Sequence, residues 1–136
     1  MNRYERTRLD HSSEIAEDYV ELIASLIVEK GEARVVDVAS RLGVSQATVS
    51  KTLQRLSREG LLRSEPYRSI FLTDAGHDVA RKSRERHELV VAFLIALGVS
   101  REAAQADAEG IEHHVSAETL ARMADFCSMK GVEHGI

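Results

Sequence analysis

Residues 35–62 read VVDVASRLGVSQATVSKTLQRLSREGLL, and no other stretch limits the fold as tightly. Val35, Val36, Val38, Ala39 and Leu42 are spaced as one face of a short helix, and Gly43 ends it. Ser45 is a good N-cap for a second helix whose apolar residues are Val49, Leu53 and Leu56, with Gly60 closing it. Only Leu42-Gly43-Val44-Ser45 is left to join the two. Helices this short are marginal alone, so each must bury its stripe against a neighbour. Upstream, Ile15, Tyr19, Leu22, Ile23, Leu26 and Ile27 mark a longer helix from Glu14 to about Lys30-Gly31 that can provide that surface.

Downstream, LLRSEPYRSIFLT predicts two short strands, Leu61–Ser64 and Ile70–Thr73, around a turn holding Pro66. Helix, helix, a helix fronted by small polar residues, then a two-strand wing is the pattern of a winged helix-turn-helix. In that fold the N-terminal part of the second helix of the motif enters the major groove. Ser45, Gln46, Thr48 and Ser50 are the candidate base or phosphate contacts, Gln being able to pair bidentately with adenine. Lys51 and Arg55 suit the sugar-phosphate backbone, and Tyr67 and Arg68 sit at the tip of the wing. The formal net charge of −4 argues mildly against a nucleic-acid binder. Its distribution argues the other way: between Arg41 and Arg58 there are four basic residues (Arg41, Lys51, Arg55, Arg58) and no acidic one. The charge pattern alone also fits an ordinary solvated helix face, and the fold alone also fits a winged helix used for protein contacts.

Past Thr73-Asp74 the spacing predicts a long helix through His87, Val90, Val91, Leu94 and Leu97 to Gly98, a short helix from Ser100 to about Ala108, and a last helix from Ser116 to about Lys130. The expected organisation is therefore mostly α: a polar, frayed segment over 1–13, a winged-helix domain over 14–74, and an all-helical domain over 75–136. The Val90, Val91, Phe93, Leu94, Leu97 set is too apolar for a solvated helix in so small a module, which predicts burial at a homodimer interface. The one cysteine, Cys127, excludes an intramolecular disulfide and a Cys-built zinc site, and fits a cytoplasmic protein. MNRYERTRLD has no apolar core of a signal peptide, and no apolar run approaches the roughly 18 residues a membrane span needs.

The stretch AEGIEHHVS, Ala108–Ser116, packs two carboxylates and two histidines together. If Glu109 begins a helical turn, Glu112 and His113 share its face at i+3 and i+4, while His114 points away. Asp18 and Glu21 form an i, i+3 pair on the first helix, and His87 stands within RERHELV. Oxygen-rich donors with imidazoles suit hard and borderline ions such as Mn(II), Fe(II) or Zn(II). Taken one at a time, each of these residues reads more readily as a solvated charge.

EDYVELIASLIVEKGEARVVDVASRLGVSQATVSKTLQRL, YRSIFLTDAGHDVA, RERHELVVAFLIALGVS and DAEGIEHHVS keep the order and spacing of a known family. Over nearly all of residues 14–120 the chain resembles the manganese transport regulators, a branch of the diphtheria-toxin-repressor family of metal-dependent transcription factors. The resemblance implies a homodimer that binds a palindromic double-stranded DNA operator through its winged helices and dimerises through its C-terminal helices. It implies a site for two Mn(II) per chain at Asp18, Glu21, His87, Glu109, Glu112 and His113, and metal-dependent repression of metal-uptake genes. Iron-responsive relatives carry Met at the position of Asp18 and Cys at that of Glu109, softer ligands that favour Fe(II). An iron-responsive repressor and a metal-independent winged-helix regulator are the alternatives. The resemblance assigns no role to His11 or His134. An enzyme is disfavoured: paired Glu-x-x-His motifs of a dinuclear four-helix bundle are missing, and His87-Glu88 is not followed by a second His at metalloprotease spacing.

Overall fold

The computed structural model describes residues 1–131. They form α1 (Arg3–Lys30), α2 (Val35–Leu42), α3 (Gln46–Arg58), β1 (Leu62–Arg63), β2 (Phe71–Leu72), α4 (Asp74–Ala96), α5 (Arg101–Ile111) and α6 (Ala117–Met129). Two compact units emerge: Ser12–Arg81, and Met1–His11 together with the chain from Lys82 onward. No helix among the described residues is long and apolar enough to cross a membrane. His134 lies outside the described residues.

In the first unit, α1, α2, α3 and the hairpin close on one aliphatic core. Tyr19, Ile23 and Leu26 of α1 meet Val38 of α2, Val49, Leu53 and Leu56 of α3, and Leu62 and Ile70 of the hairpin. Ile23, Leu26, Leu53, Leu56, Leu62 and Ile70 are all at most 1% exposed, and each such side chain contributes about 1.5–3 kcal/mol by leaving water. The α2–α3 turn forms as expected. Gly43 takes φ 69°, a left-handed conformation that costs a residue with a Cβ, and its N–H bonds the Ala39 carbonyl. The Ser45 hydroxyl then caps α3 by accepting from the Thr48 N–H at 3.1 Å.

The wing is the antiparallel pair Leu62↔Leu72, Arg63↔Phe71. A bridge joins Ile70 to Ala33, the Ile70 N–H donating to the Ala33 carbonyl at 2.8 Å. The hairpin is thereby tied to the α1–α2 loop. Thr73 closes it: its hydroxyl donates to the Gly60 carbonyl (2.6 Å) and accepts from the Gly76 N–H (3.1 Å), capping α4. Gly76 has to be a glycine, because a Cβ there would collide with the Leu61 carbonyl oxygen.

Two sequence expectations change. Helix α1 begins at Arg3, not at Glu14. Residues 3–13 carry no continuous apolar stripe, so periodicity could not reveal the helix, but local bonds support it. The Asn2 side chain accepts from the Glu5 N–H (2.8 Å) and the Glu5 carboxylate accepts from the Asn2 N–H (3.2 Å), a reciprocal cap. The second change concerns α4. Val90 and Val91 are buried within their own chain, against Ala104 and Ala108 of α5. Phe93 meets Phe126 of α6 edge-on, with ring centroids 5.5 Å apart. The small residues at 104 and 108 let α5 approach closely enough to cover α4, so Val90 and Val91 belong to the protomer's core, with Phe93 and Leu94 partly buried beside them. Leu97 alone of that set is exposed, at 55%.

Candidate metal centre and nucleic-acid interface

His87 projects from α4, Glu109 from the last turn of α5, and Glu112 is the residue that caps α5. The Nδ1 atom of His87 lies 2.5 Å from Glu112 Oε2 and 3.6 Å from Glu109 Oε1. Glu112 Oε1 in turn lies 3.5 Å from His113 Nε2. One ligand atom from each of His87, Glu109 and Glu112 can be chosen so that all lie within 4.8 Å of one another. Two oxygens on opposite sides of one ion at about 2.2 Å stand about 4.4 Å apart, so these donors fit around a single cation. The helix geometry favours a cation as well, since the C-terminal end of α5 carries partial negative charge.

The electrostatics of the cluster are unusual for a surface. The Glu112 side chain is 2% exposed and that of His113 is 1% exposed. Burial raises the Glu112 pKa, outweighing the bond and charge of His87, and the neighbouring Glu109 carboxylate raises it further. At His87 burial pulls the pKa down, but hydrogen bonds to the Gln105 and Glu112 oxygens and the charges of Glu112 and Glu109 overcome it and leave a net rise. Both directions say the same thing: protons stay on this cluster to higher pH than usual. A carboxylate taken out of water costs several kcal/mol unless something compensates. A carboxylate–imidazole group with two buried members, Glu112 and His113, is a candidate binding site.

Of the six residues the sequence points to, His87, Glu109, Glu112 and His113 come together in this unit. Asp18 and Glu21 lie on α1 within the other unit. His114 is 43% exposed and faces Asp10 at 3.8 Å. Glu112, the C-cap of α5, keeps helical dihedrals and donates its N–H to the Ala108 carbonyl, whereas His113 lies past the cap. Sequence reasoning missed Gln105, whose Oε1 lies 2.9 Å from His87 Nε2. The available signal was its i−4 spacing from Glu109.

On the winged unit, Gln46 and Ser50 of α3 face Pro66, Tyr67 and Arg68 of the wing across a groove of about 400 Å³. Tyr67 is 99% exposed and takes φ 64°, holding the wing tip in a left-handed turn. Lys51 is exposed. The Ser45 hydroxyl, besides capping α3, donates to the Thr48 hydroxyl oxygen at 2.9 Å. The Arg55 guanidinium donates to the Ser12 carbonyl (3.1 Å) and pairs with Glu59 (3.6 Å), tying α3 to α1. A basic residue on a recognition helix looks the same in sequence whether it faces solvent or its own fold. Arg41 is likewise paired, with Glu29 at 2.6 Å.

Comparison with known proteins agrees with this geometry. Residues 11–70 match the model of the iron dependent repressor N-terminal DNA binding domain. Residues 73–130 match that of the iron dependent repressor metal binding and dimerisation domain. The chain is 52% identical over 128 residues to the transcriptional regulator MntR of Salmonella typhimurium, covering 94% of this chain and 82% of that protein. It is 43% identical over 109 residues to the HTH-type transcriptional regulator MntR of Bacillus subtilis, covering 80% and 77%. Among solved structures it is similar to a manganese-dependent transcriptional repressor in complex with manganese (TM-score 0.72, 29% identity, 83% of this chain and 52% of that one). It is also similar to the manganese regulator SloR (TM-score 0.71, 26% identity, 83% and 53%). The chain thus spans about half the length of these two solved chains. Fold, site and relatives together define a class: a metal-responsive, DNA-binding transcriptional repressor, not an enzyme. The chain belongs to the iron-dependent repressor family, whose members include regulators of the diphtheria-toxin-repressor type.

Proposed function

We propose that this protein is a manganese-responsive repressor of metal-uptake genes that acts in the cytoplasm as a homodimer on a palindromic operator. The observation that carries the reading is the buried Glu112 carboxylate held against His87, with Glu109 and His113 beside it. Carboxylate oxygens dominate the donor set and no thiolate is present in it, a composition that suits Mn(II). On the resemblance to the manganese regulators, Asp18 and Glu21 of α1 complete a set of six ligands for two ions.

When bound, the ions supply positive charge among converging carboxylates. The chain's residues do the rest. His87, Glu109, Glu112 and His113 belong to the helical unit, and Asp18 and Glu21 to the winged unit. If both sets held one pair of ions, as the resemblance implies, the ions would offset the mutual repulsion of the carboxylates and would restrict the winged unit. Gln46 and Ser50 then read bases while Lys51 and Arg68 contact phosphates, at the fixed spacing that palindromic half-sites demand. Restricting an ensemble to its binding-competent members raises DNA affinity by the fraction recovered.

The test is a gel shift on a duplex selected from a random library in the presence of Mn(II), repeated with EDTA and with anaerobic Fe(II). Mn(II) should tighten binding roughly 5–150-fold, the range typical of such coupling. Equal binding in EDTA would overturn metal dependence, and a response to Fe(II) alone would make the protein an iron-responsive regulator.

A further inference from the structure

Gln105 is not a member of the six-ligand set, yet it touches the centre of it. It lies one helical turn before Glu109 on α5, so both side chains share a face. Its amide oxygen meets His87 Nε2 at 2.9 Å. The other ring nitrogen, Nδ1, faces Glu112 Oε2 at 2.5 Å and Glu109 Oε1 at 3.6 Å. A neutral imidazole has one N–H and one lone pair, and a metal needs the lone pair. Two acceptors therefore compete for the ring's N–H. Glu112, a carboxylate, would hold the proton on Nδ1 and turn the lone pair away from the carboxylates. Gln105 favours the other arrangement: Nε2–H donates to its oxygen and the lone pair falls on Nδ1, among the donors.

We propose that Gln105 is a positioning residue for a divalent cation, fixing His87 as the Nε2–H tautomer so that Nδ1 is its ligating atom. This rests on the metal centre proposed above. Outer partners of this kind orient a histidine ligand and raise its basicity, and losing one typically costs about 10–100-fold in metal affinity. Gln105 is exposed, so its replacement leaves the fold intact.

The experiment uses the full chain, wild type and the Gln105→Leu and Gln105→Glu variants. Mn(II) binding is followed by electron paramagnetic resonance, and histidine tautomers by ¹⁵N NMR of the Zn(II)-loaded protein. Wild type should show His87 metallated at Nδ1, with a protected Nε2–H signal. Gln105→Leu should weaken Mn(II) binding about 10–100-fold, lose protection of that N–H, and melt like wild type when metal-free. Gln105→Glu keeps an acceptor and should restore most of the affinity, which a merely structural role does not require. Unchanged Mn(II) affinity in Gln105→Leu, or a wild-type His87 metallated at Nε2, would overturn the proposal. If wild type itself binds no Mn(II), the metal centre is wrong and the inference falls with it.

Discussion

Glu112→Gln should invert the stability order of wild type and variant according to whether Mn(II) is present. The substitution keeps shape and volume and removes a charge. In the metal-free protein two effects oppose each other. The bond to His87 survives as a neutral one, which loses about 1–1.5 kcal/mol, the difference between a charge-assisted bond and an ordinary one. Against this, a carboxylate whose side chain is 2% exposed no longer has to be desolvated, a penalty of several kcal/mol. Repulsion from Glu109 also disappears. Burial being the largest influence on Glu112, relief of burial should win by about 1 kcal/mol or more, raising the metal-free melting temperature by about 4–8 °C for a module of this size. With Mn(II) at a hundred times the wild-type Kd, wild type gains about 2.7 kcal/mol and the variant, short of one ligand, gains little. Differential scanning calorimetry of both proteins, in EDTA and in Mn(II), measures all four values. A metal-free variant that melts below wild type would refute the claim that burial outweighs pairing here. A variant stabilised by Mn(II) as much as wild type would remove Glu112 from the ligand set.

Other outcomes follow from residues elsewhere in the structure. Gln46→Ala should cost roughly 1–3 kcal/mol on the selected duplex and relax base preference, whereas Lys51→Ala should weaken binding to all duplexes and flatten the salt dependence; fluorescence titration against selected and random DNA separates them. Asp18→Met exchanges an oxygen donor for a thioether, so anaerobic DNA-binding titrations should show Mn(II) activation falling more than Fe(II) activation, while His114→Ala changes neither. Gly76→Ala forces a Cβ onto the Leu61 carbonyl and should destabilise the winged unit by about 1–3 kcal/mol in urea unfolding. The raised His87 pKa gives the metal-free protein stability that is complete below the ordinary histidine value of about 6.5 and lost as pH rises through the shifted one. Because the ligand is the uncharged ring, calorimetry in buffers of different ionisation heat should show protons released as Mn(II) binds, fewer at higher pH.

The winged unit was largely legible in the sequence because its signals are local. Ser45, Gly43 and the alternating hairpin each specify one backbone feature, and the core around Ile23, Leu53 and Leu56 follows from helical spacing. What escaped reading depends on contacts far apart in the chain. Nothing near Arg55 announces that its partner is the Ser12 carbonyl, and nothing near Val90 announces that Ala104 and Ala108 cover it. Gln105 is uncharged and is not a usual ligand, so only the distance to His87 gives it a role. The early start of α1 is a different case. Asn2-x-x-Glu5 is a readable capping pattern, and the missing apolar stripe hid it.

The bridge between Ala33 and Ile70 limits how such a domain can change in length. Residues 64–69 form a tip with no ladder to preserve, so insertions there would lengthen the wing while leaving its root in place. Residues 31–34 have no such freedom. One residue added between Gly31 and Ala33 would shift the Ala33 carbonyl off the Ile70 N–H, and the Glu32–Ser69 bond of 2.7 Å would be lost with it. The reach of the wing along a DNA duplex can therefore diverge among descendants of this chain, while the spacing at its base must be inherited unaltered.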